Sequence, residues 1–90
     1  MHRFLVLSPL DNVGVALAEL APGAELDHDG DVLVVRDAIP AAHKLALRSI
    51  APGERVVKYG TPIGIATAAI SPGEHVHTHN VESDRMRGDR

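Results

Sequence analysis

This chain of 90 residues is long enough for one small domain and too short for two. Its net charge of −3, with one Phe, one Tyr and no Trp, argues against nucleic-acid binding, which needs a basic surface and usually aromatic stacking platforms. It has no Cys, and its apolar N-terminal run is too short for a signal peptide or a membrane span. We therefore expect a cytoplasmic protein with neither nucleic acid nor a membrane as partner.

Three segments share one sequence frame built around a Pro-Gly pair. They are VGVALAELAPGAEL (13–26), HKLALRSIAPGERV (43–56) and IGIATAAISPGEHV (63–76), and they begin 30 and then 20 residues apart. Each Pro-Gly pair predicts a type II turn, because Pro fixes φ at the first central position and Gly accepts a positive φ at the second. The frame predicts a pseudo-repeat in which short strands enter tight corners.

Further strands are predicted between and after these repeats. AELDHDGDVLVVR predicts a hairpin that turns at Asp29-Gly30 and returns over 32–36. VVKYG (56–60) and HVHTHNV (75–81) predict two more strands, with a break at Gly60-Thr61-Pro62. Residues 82–90 are charged and predict a flexible tail or linker after a domain spanning 1–81. The chain is therefore predicted to be mostly β, with short strands, hairpins and tight turns.

Half of the six histidines fall within five residues, at His75, His77 and His79. In a strand they would share one face, with about 7 Å between successive Cα atoms. Two imidazoles so spaced can share a Zn²⁺ or Fe²⁺ ion when a third ligand comes from elsewhere, and His77 and His79 are a candidate pair. Solvent-facing histidines, or hydrogen bonds to a substrate or anion, explain the pattern as well, so all three interpretations stay open. Asn80 is a candidate for a cap, a turn or a ligand contact.

Two lysines stand where they could meet an anion. His43 and Lys44 replace the apolar-Gly pair that begins the other two repeats, and such departures from a local rule are where function tends to be found. Lys58 and Tyr59 precede Gly60, where backbone N–H groups can approach a carboxylate or phosphate. Ordinary solvated lysines and an incidental turn explain these residues equally well.

Three motifs in the right order, HKLAL, KYGTPIG and GEHVHTHN, resemble the small N-terminal domain of the altronate and galactarate dehydratase family. The resemblance runs from about Asp11 to Asn80 and extends to the separate small subunit of sulfolactate sulfo-lyase. It implies a SAF domain with a β-clip fold. It also implies one part of an enzyme whose divalent metal, Fe²⁺ or Mn²⁺, is held mainly by a large subunit.

The resemblance also implies a division of labour between two chains. Because this chain stops ten residues after Asn80, we expect a stand-alone small subunit, inactive alone, that works with a large dehydratase subunit. The less favoured alternative is a shortened piece of a fused enzyme. The substrate would be a sugar acid such as altronate or galactarate, or another 2-hydroxy acid such as sulfolactate. Carried over residue by residue, the resemblance implies catalytic roles for His79, His77 and Lys44 and substrate binding by His43, Lys58, Tyr59 and Asn80. Among the residues expected to face the active site, His79 and Asn80 rank first and His75 ranks last.

Two other functions remain compatible with the sequence. One is a non-catalytic module that binds a sugar acid or anion, or assists assembly, since SAF-type domains occur in unrelated settings. The other is an independent histidine-based metalloprotein, for which we expect substoichiometric metal because neither an acidic ligand nor a Cys lies beside the histidines. Whether the chain forms a homo-oligomer stays open.

Overall fold

The computed structural model describes residues 3–83. This range contains strands and no helix. The strands are β1 (Phe4–Leu5), β2 (Val13–Ala16), β3 (Glu25–His28), β4 (Asp31–Val34), β5 (Lys44–Ala46), β6 (Arg55–Lys58), β7 (Thr61–Ala66), β8 (His75–Val76) and β9 (Val81–Glu82). They form three antiparallel sheets, ordered β1-β2-β5-β8, β3-β4 and β6-β7-β9. The prediction of a mostly β, SAF-like chain is confirmed, and residues 3–83 hold no helix long and apolar enough to cross a membrane.

Four turns of one kind organise residues 3–83, one more than the sequence predicted. The glycines of the three Pro-Gly pairs have the predicted positive φ, 90° at Gly23, 86° at Gly53 and 86° at Gly73. The fourth turn spans 40–43, where Ala42 takes the place of the glycine with a φ of 72° and His43 N–H donates to Pro40 C=O at 3.1 Å. The sequence analysis missed this turn because Pro-Ala-Ala lacks the glycine that marks the others.

Each of these turns is held by the same pair of backbone hydrogen bonds. The turn residue with positive φ donates its N–H to the carbonyl of a residue that is a neighbour in space but distant in the chain. The N–H of that same neighbour donates to the carbonyl of the following turn residue. The neighbours are Val35 for 23–24, Ala16 for 42–43, Ala66 for 53–54 and Ala46 for 73–74. Each of the first two turns is thus bonded to a residue that precedes the other turn, and the same holds for the last two turns. The β-bridges Leu20↔Ile39 and Ile50↔Ile70 join the same two pairs of turns.

Two hydrophobic clusters follow this pairing of turns. The first comprises Ala16, Leu20, Leu26, Leu33, Val35, Ile39 and Leu45. The second comprises Val13, Ala46, Ile50, Val56, Ala66, Ile70 and Val76. Strand β5 separates them, because successive residues of a strand point to opposite faces and Leu45 enters the first cluster while Ala46 enters the second. The same alternation sends His43 and Lys44 to opposite sides of β5.

Two hairpins have the turn geometry that suits a twisted antiparallel pair. The predicted turn at Asp29 and Gly30 is confirmed by their φ of 53° and 86°, although β4 is Asp31–Val34 rather than 32–36. The second hairpin turns at Tyr59 and Gly60, with φ of 55° and 77°. Positive φ at both central residues is the mark of a type I′ turn.

The predicted break at 60–62 is confirmed at Gly60, which lies in this turn, and does not extend to Thr61 and Pro62. β7 begins at Thr61 and runs through Pro62, which pairs with Val57 next to a register shift in β6. A proline lacks the N–H that a regular ladder needs, and it is accommodated at such irregular points.

The single strand predicted over 75–81 is wrong. β8 ends at Val76, residues 77–80 turn, and β9 then pairs with β7. The chain turns here because the Asn80 side chain supplies hydrogen bonds that a strand partner would otherwise supply. Glu82, the first residue of the predicted tail, lies in β9, and residues 84–90 of that tail lie outside the described residues.

Candidate functional site

Four histidine rings gather where β5 and β8 meet. The sheet order places β5 beside β8, with Leu45 opposite His75. His43, immediately before β5, thereby brings its Nδ1 to 2.9 Å from Nε2 of His75. The ring of His77 stacks on that of His43 with centroids 4.3 Å apart, and the ring of His79 lies 5.3 Å from that of His75.

Three of these four histidines are grouped as metal ligands would be. One ring nitrogen from each of His43, His75 and His77 lies within 4.8 Å of the other two, and all three residues are partly buried. His79 is exposed and lies outside this set. The sequence suggested His77 with His79 as the candidate pair of metal ligands. The structure instead groups His77 with His75 and with His43, which lies 32 positions from His75 in the chain.

Desolvation and neighbouring groups keep two of these imidazoles neutral. Desolvation, followed by the proximity of His43, lowers the pKa of His75 and also that of His77, and Lys44 contributes further at His77. The Asp37 carboxylate, which accepts the His75 N–H at 2.8 Å, acts in the opposite direction on the pKa of His75. A neutral imidazole keeps a nitrogen lone pair that can accept a hydrogen bond or bind a metal.

Asn80 shapes the loop that carries the histidines. Its side chain is buried, its Oδ1 accepts the His77 N–H at 3.0 Å and its Nδ2 donates to the His75 carbonyl at 2.9 Å. Both ends of the amide are thus engaged within the loop. This geometry makes Asn80 a positioning residue for His75 and His77.

Lys44 and His77 line one pocket of about 240 Å³. The rest of its wall is formed by Ile63, Thr78, Val81, Glu82 and Ser83. His77 lies in the turn beyond β8 and so contacts His43 on one side and this pocket on the other. Desolvation, followed by the charge of Lys58, lowers the pKa of Lys44. A partly buried ammonium group beside a histidine suits carboxylate binding or proton transfer.

Lys58 and Tyr59 lie at the β6–β7 turn. The Lys58 Nζ is 5.2 Å from the centroid of the Tyr59 ring, which is a cation–π contact. Since Lys58 affects the pKa of Lys44, the two ammonium groups interact. The structure thus brings the two predicted lysines together and pairs Tyr59 with Lys58.

Asp11 holds this turn in place, and the sequence analysis did not single it out. It is buried and accepts the Gly60 N–H at 2.7 Å and the Leu7 and Ser8 N–H groups at 3.3 Å. Burial alone would raise the pKa of this carboxyl, but hydrogen bonds from the backbone at Gly60, Tyr59, Leu7 and Ser8 hold it below its ordinary value. The only sequence signal was an Asp-Asn pair between apolar segments.

Asn12, the second member of that pair, ties β6 to the start of β2. It is 1% exposed, its Oδ1 accepts the Val57 N–H at 2.7 Å and its Nδ2 donates to the Arg55 carbonyl at 2.9 Å. Because these bonds span the register shift in β6, Asn12 fixes the strand that ends at Lys58.

Comparison with known proteins identifies the family to which this chain belongs. A family model described as the altronate/galactarate dehydratase SAF domain matches residues 2–84. The altronate dehydratase of Escherichia coli is 45% identical over 82 residues, which are 91% of this chain and 17% of that protein. That of Bacillus subtilis is 42% identical over 84 residues, 93% of this chain and again 17% of the relative. The chain thus spans about a sixth of the length of these curated relatives.

A third relative is a small protein of nearly the same length. The (2R)-sulfolactate sulfo-lyase subunit alpha of Chromohalobacter salexigens is 42% identical over 89 residues, which cover 91% of this chain and 95% of that subunit. Related sequences therefore occur both within a much longer protein and as a nearly complete subunit. With the family model matching almost from end to end and the strands and turns in agreement, this chain belongs to the altronate/galactarate dehydratase SAF-domain family.

Proposed function

We propose that this chain is the small subunit of a cytoplasmic lyase that eliminates water or sulfite from a sugar acid or related 2-hydroxy acid, together with a separate large dehydratase chain. The similarity over 95% of a sulfo-lyase subunit supports the separate chain. The similarity to altronate dehydratases supports the substrate class. The observation that carries the proposal is the pocket wall shared by Lys44 and His77 next to the other histidines.

Elimination from such an acid requires coordinated proton transfers. A base takes the proton from the carbon next to the carboxylate, and the electron pair forms a C=C bond as the bond to the leaving group breaks. A departing hydroxide takes a proton to become water, whereas sulfite leaves with the electron pair of the C–S bond. A divalent ion, when bound, offsets the negative charge that develops on the carboxylate.

This chain contributes cations and a proton acceptor to that chemistry. Lys44 and Lys58 place positive charge where a substrate carboxylate would bind, and exclusion of water strengthens the attraction. The lowered pKa of His77 keeps its imidazole neutral at pH 7, so a ring nitrogen can accept a proton. His43 and His75, hydrogen-bonded to each other at 2.9 Å, can pass a proton onward.

The size of the pocket supports a site completed by a second chain. At about 240 Å³ it is smaller than the roughly 300–1,000 Å³ that is usual for ligand pockets. A large chain docked over Lys44 and His77 would supply the missing wall.

Reconstitution tests this proposal. The untagged chain is mixed with the large dehydratase chain of the same organism, with Fe²⁺ or Mn²⁺ under anaerobic conditions, and altronate, galactarate and (2R)-sulfolactate are offered separately. We expect turnover of at least one substrate only when both chains are present. A mixture that turns over none of the three faster than the large chain alone overturns the proposal.

One observation favours the alternative of a non-catalytic assembly module. Val32 and Val34 of β4 are 66% and 45% exposed, and on the outer face of the two-stranded β3-β4 sheet they lie beside their strand partners Asp27 and Glu25, so that face carries exposed apolar side chains next to charged ones. Such faces often bind other proteins. His77→Ala in the reconstituted complex separates the two functions: lost turnover with intact association supports the lyase role, and unchanged turnover supports the assembly role.

A further inference from the structure

We infer that His43, His75 and His77 form a binding site for one divalent transition-metal ion, of the zinc or iron type, within this chain. All three ligands belong to the small domain, where the family resemblance placed none of the principal metal ligands. The inference does not depend on the lyase proposal, because it concerns binding by this chain alone. With an ion bound these imidazoles are ligands, so the proton transfers proposed above for His77 and for the His43–His75 pair belong to the ion-free chain.

The ligand atoms are nearly in place for one ion. Nδ1 of His43 and Nε2 of His75 are 2.9 Å apart, and one ring nitrogen from each of the three histidines lies within 4.8 Å of the other two. Two nitrogens bound to the same ion at about 2.1 Å lie about 3.0 to 3.4 Å apart in octahedral or tetrahedral geometry. Rotation of the His77 side chain, which is partly exposed, closes the remaining gap.

The backbone of each ligand is fixed independently of any ion. His43 donates its N–H to Pro40 and its carbonyl accepts from Ala16 within the fourth turn. His75 donates its N–H to the Asp37 carboxylate, and Asn80 binds the backbone of both His75 and His77. Ligands positioned in advance lose less conformational freedom on binding, which favours affinity.

The donor set selects the kind of ion. Three imidazole nitrogens without carboxylate or thiolate suit Zn²⁺, Fe²⁺ and Co²⁺ better than Mg²⁺ or Ca²⁺. Three protein ligands leave at least one coordination position open, as in catalytic zinc sites. His77 also lines the pocket of Lys44, so an anion in that pocket adjoins the ion.

Without an ion, the same contacts make a hydrogen-bonded histidine pair with a third ring stacked on it. One of the two facing nitrogens then carries a proton and the other accepts it. A metal ion replaces that proton and leaves both nitrogens as ligands. The two arrangements therefore differ in the state of individual ring nitrogens, which can be measured.

Titration of the untagged chain with Co²⁺ at pH 7.5, followed by calorimetry and visible absorption, tests the site. We expect one ion per chain, in place of the substoichiometric metal expected from the sequence, because the structure adds His43 as a third ligand to His75 and His77. His43→Ala, His75→Ala and His77→Ala should each weaken binding by at least about 10-fold. His79→Ala, in the same loop but outside the set, and His28→Ala, in β3, are the matched controls and should leave affinity unchanged.

Two further measurements keep the test decisive. Circular dichroism shows whether each variant folds, and His→Gln versions, which retain a hydrogen-bonding side chain, replace any alanine variant that does not. Nitrogen NMR of the rings with Zn²⁺ should shift Nδ1 of His43 and Nε2 of His75. Binding well below one ion per chain, undiminished binding in all three ligand variants, or an equal loss in His79→Ala overturns the inference. Since activity is not measured, that result leaves the subunit proposal standing.

Discussion

Gly73 lies directly against the Val34 carbonyl, so that a Cβ at residue 73 would collide with that oxygen. The Gly73 carbonyl also accepts the Arg36 N–H at 2.9 Å. This contact connects the last Pro-Gly turn to the segment after β4. It therefore joins the part of the chain around the first hydrophobic cluster to the part around the second.

We expect Gly73→Ala to destabilise far more than the same change in the other Pro-Gly turns. At Gly23 and Gly53 a Cβ would meet nothing within 4 Å, so Ala there bears mainly the strain of a positive φ, about 1 kcal/mol. Gly73→Ala adds a steric clash with backbone, for a total of about 3 kcal/mol. Urea unfolding of the three variants measures the difference, and equal losses would show that the Val34 contact is unimportant.

Ala42→Gly should stabilise the chain. Ala42 holds a φ of 72°, which strains any residue with a Cβ, and glycine relieves that strain. Glycine also has more conformational entropy in the unfolded chain, which offsets part of this stabilisation. The net increase in the free energy of unfolding is therefore about 0.5 to 1 kcal/mol. Ala41→Gly is the matched control, because residue 41 has no positive φ and the change should destabilise. Shifts of the two variants in the same direction would contradict the strain argument.

Stability should fall as the pH falls below the ordinary histidine range. The pKa values of His75 and His77 are lowered from 6.5 by desolvation and by neighbouring groups. Below pH 6.5 the unfolded chain therefore binds protons more readily than the folded chain. The stability that the two neutral histidines contribute is lost as the pH falls through their lowered pKa values. The pKa of Asp11 is also lowered, so Asp11 affects the pH dependence of stability only below its ordinary pKa of 3.8. Thermal midpoints between pH 7.5 and 5 should drop in the native chain and drop less in a His75→Gln/His77→Gln variant.

Lys44→Gln should reduce kcat/KM of the reconstituted enzyme by about 100-fold or more, because it removes a partly buried cation from the wall of the pocket that we propose as the substrate site. Thermal stability should not fall, since burial disfavours the charged lysine. Arg48→Gln, at an exposed residue shortly after β5, is the control and should retain activity. If Lys44→Gln left kcat/KM unchanged, Lys44 would have no place in the site.

Asn80→Ala should lower the free energy of unfolding by about 1 to 3 kcal/mol, because two backbone groups lose their partner. It should also weaken Co²⁺ binding, because His75 and His77 lose their fixed backbone. Asn80→Asp keeps an acceptor for the His77 N–H and loses the donor to His75, so its effect should be intermediate. Thr78→Ala, at an exposed position of the same loop, should change neither quantity.

Local sequence predicted the turns whose conformation depends on their own residues. The Pro-Gly pairs and Asp29-Gly30 belong to this class. The turn at Ala42 could not be predicted from its own residues, because the positive φ of Ala42 accompanies a hydrogen bond from its N–H to Ala16 in β2. The break expected over 60–62 is present at Gly60 but is a two-residue hairpin turn, because Tyr59 adopts a positive φ and β7 begins at Thr61.

The histidine site depended on contacts that no local pattern contains. Alternation along 75–81 presumed a strand, whereas Asn80 folds those residues into a loop. The family resemblance included His43 but said nothing of its distance from His75, which follows from β5 lying beside β8. His75, ranked last from the sequence, is the residue whose ring approaches those of His43, His77 and His79.

A metal ion bound by the three histidines would act as a removable cross-link within the chain. His43 belongs to the first pair of turns and His75 to the second, and 32 positions separate them in the chain. Small domains with modest cores commonly rely on disulfides or structural metals, which restrict the unfolded chain. This chain has no Cys, so an ion held by these imidazoles would connect its two halves where no disulfide can, and a chelator would release them.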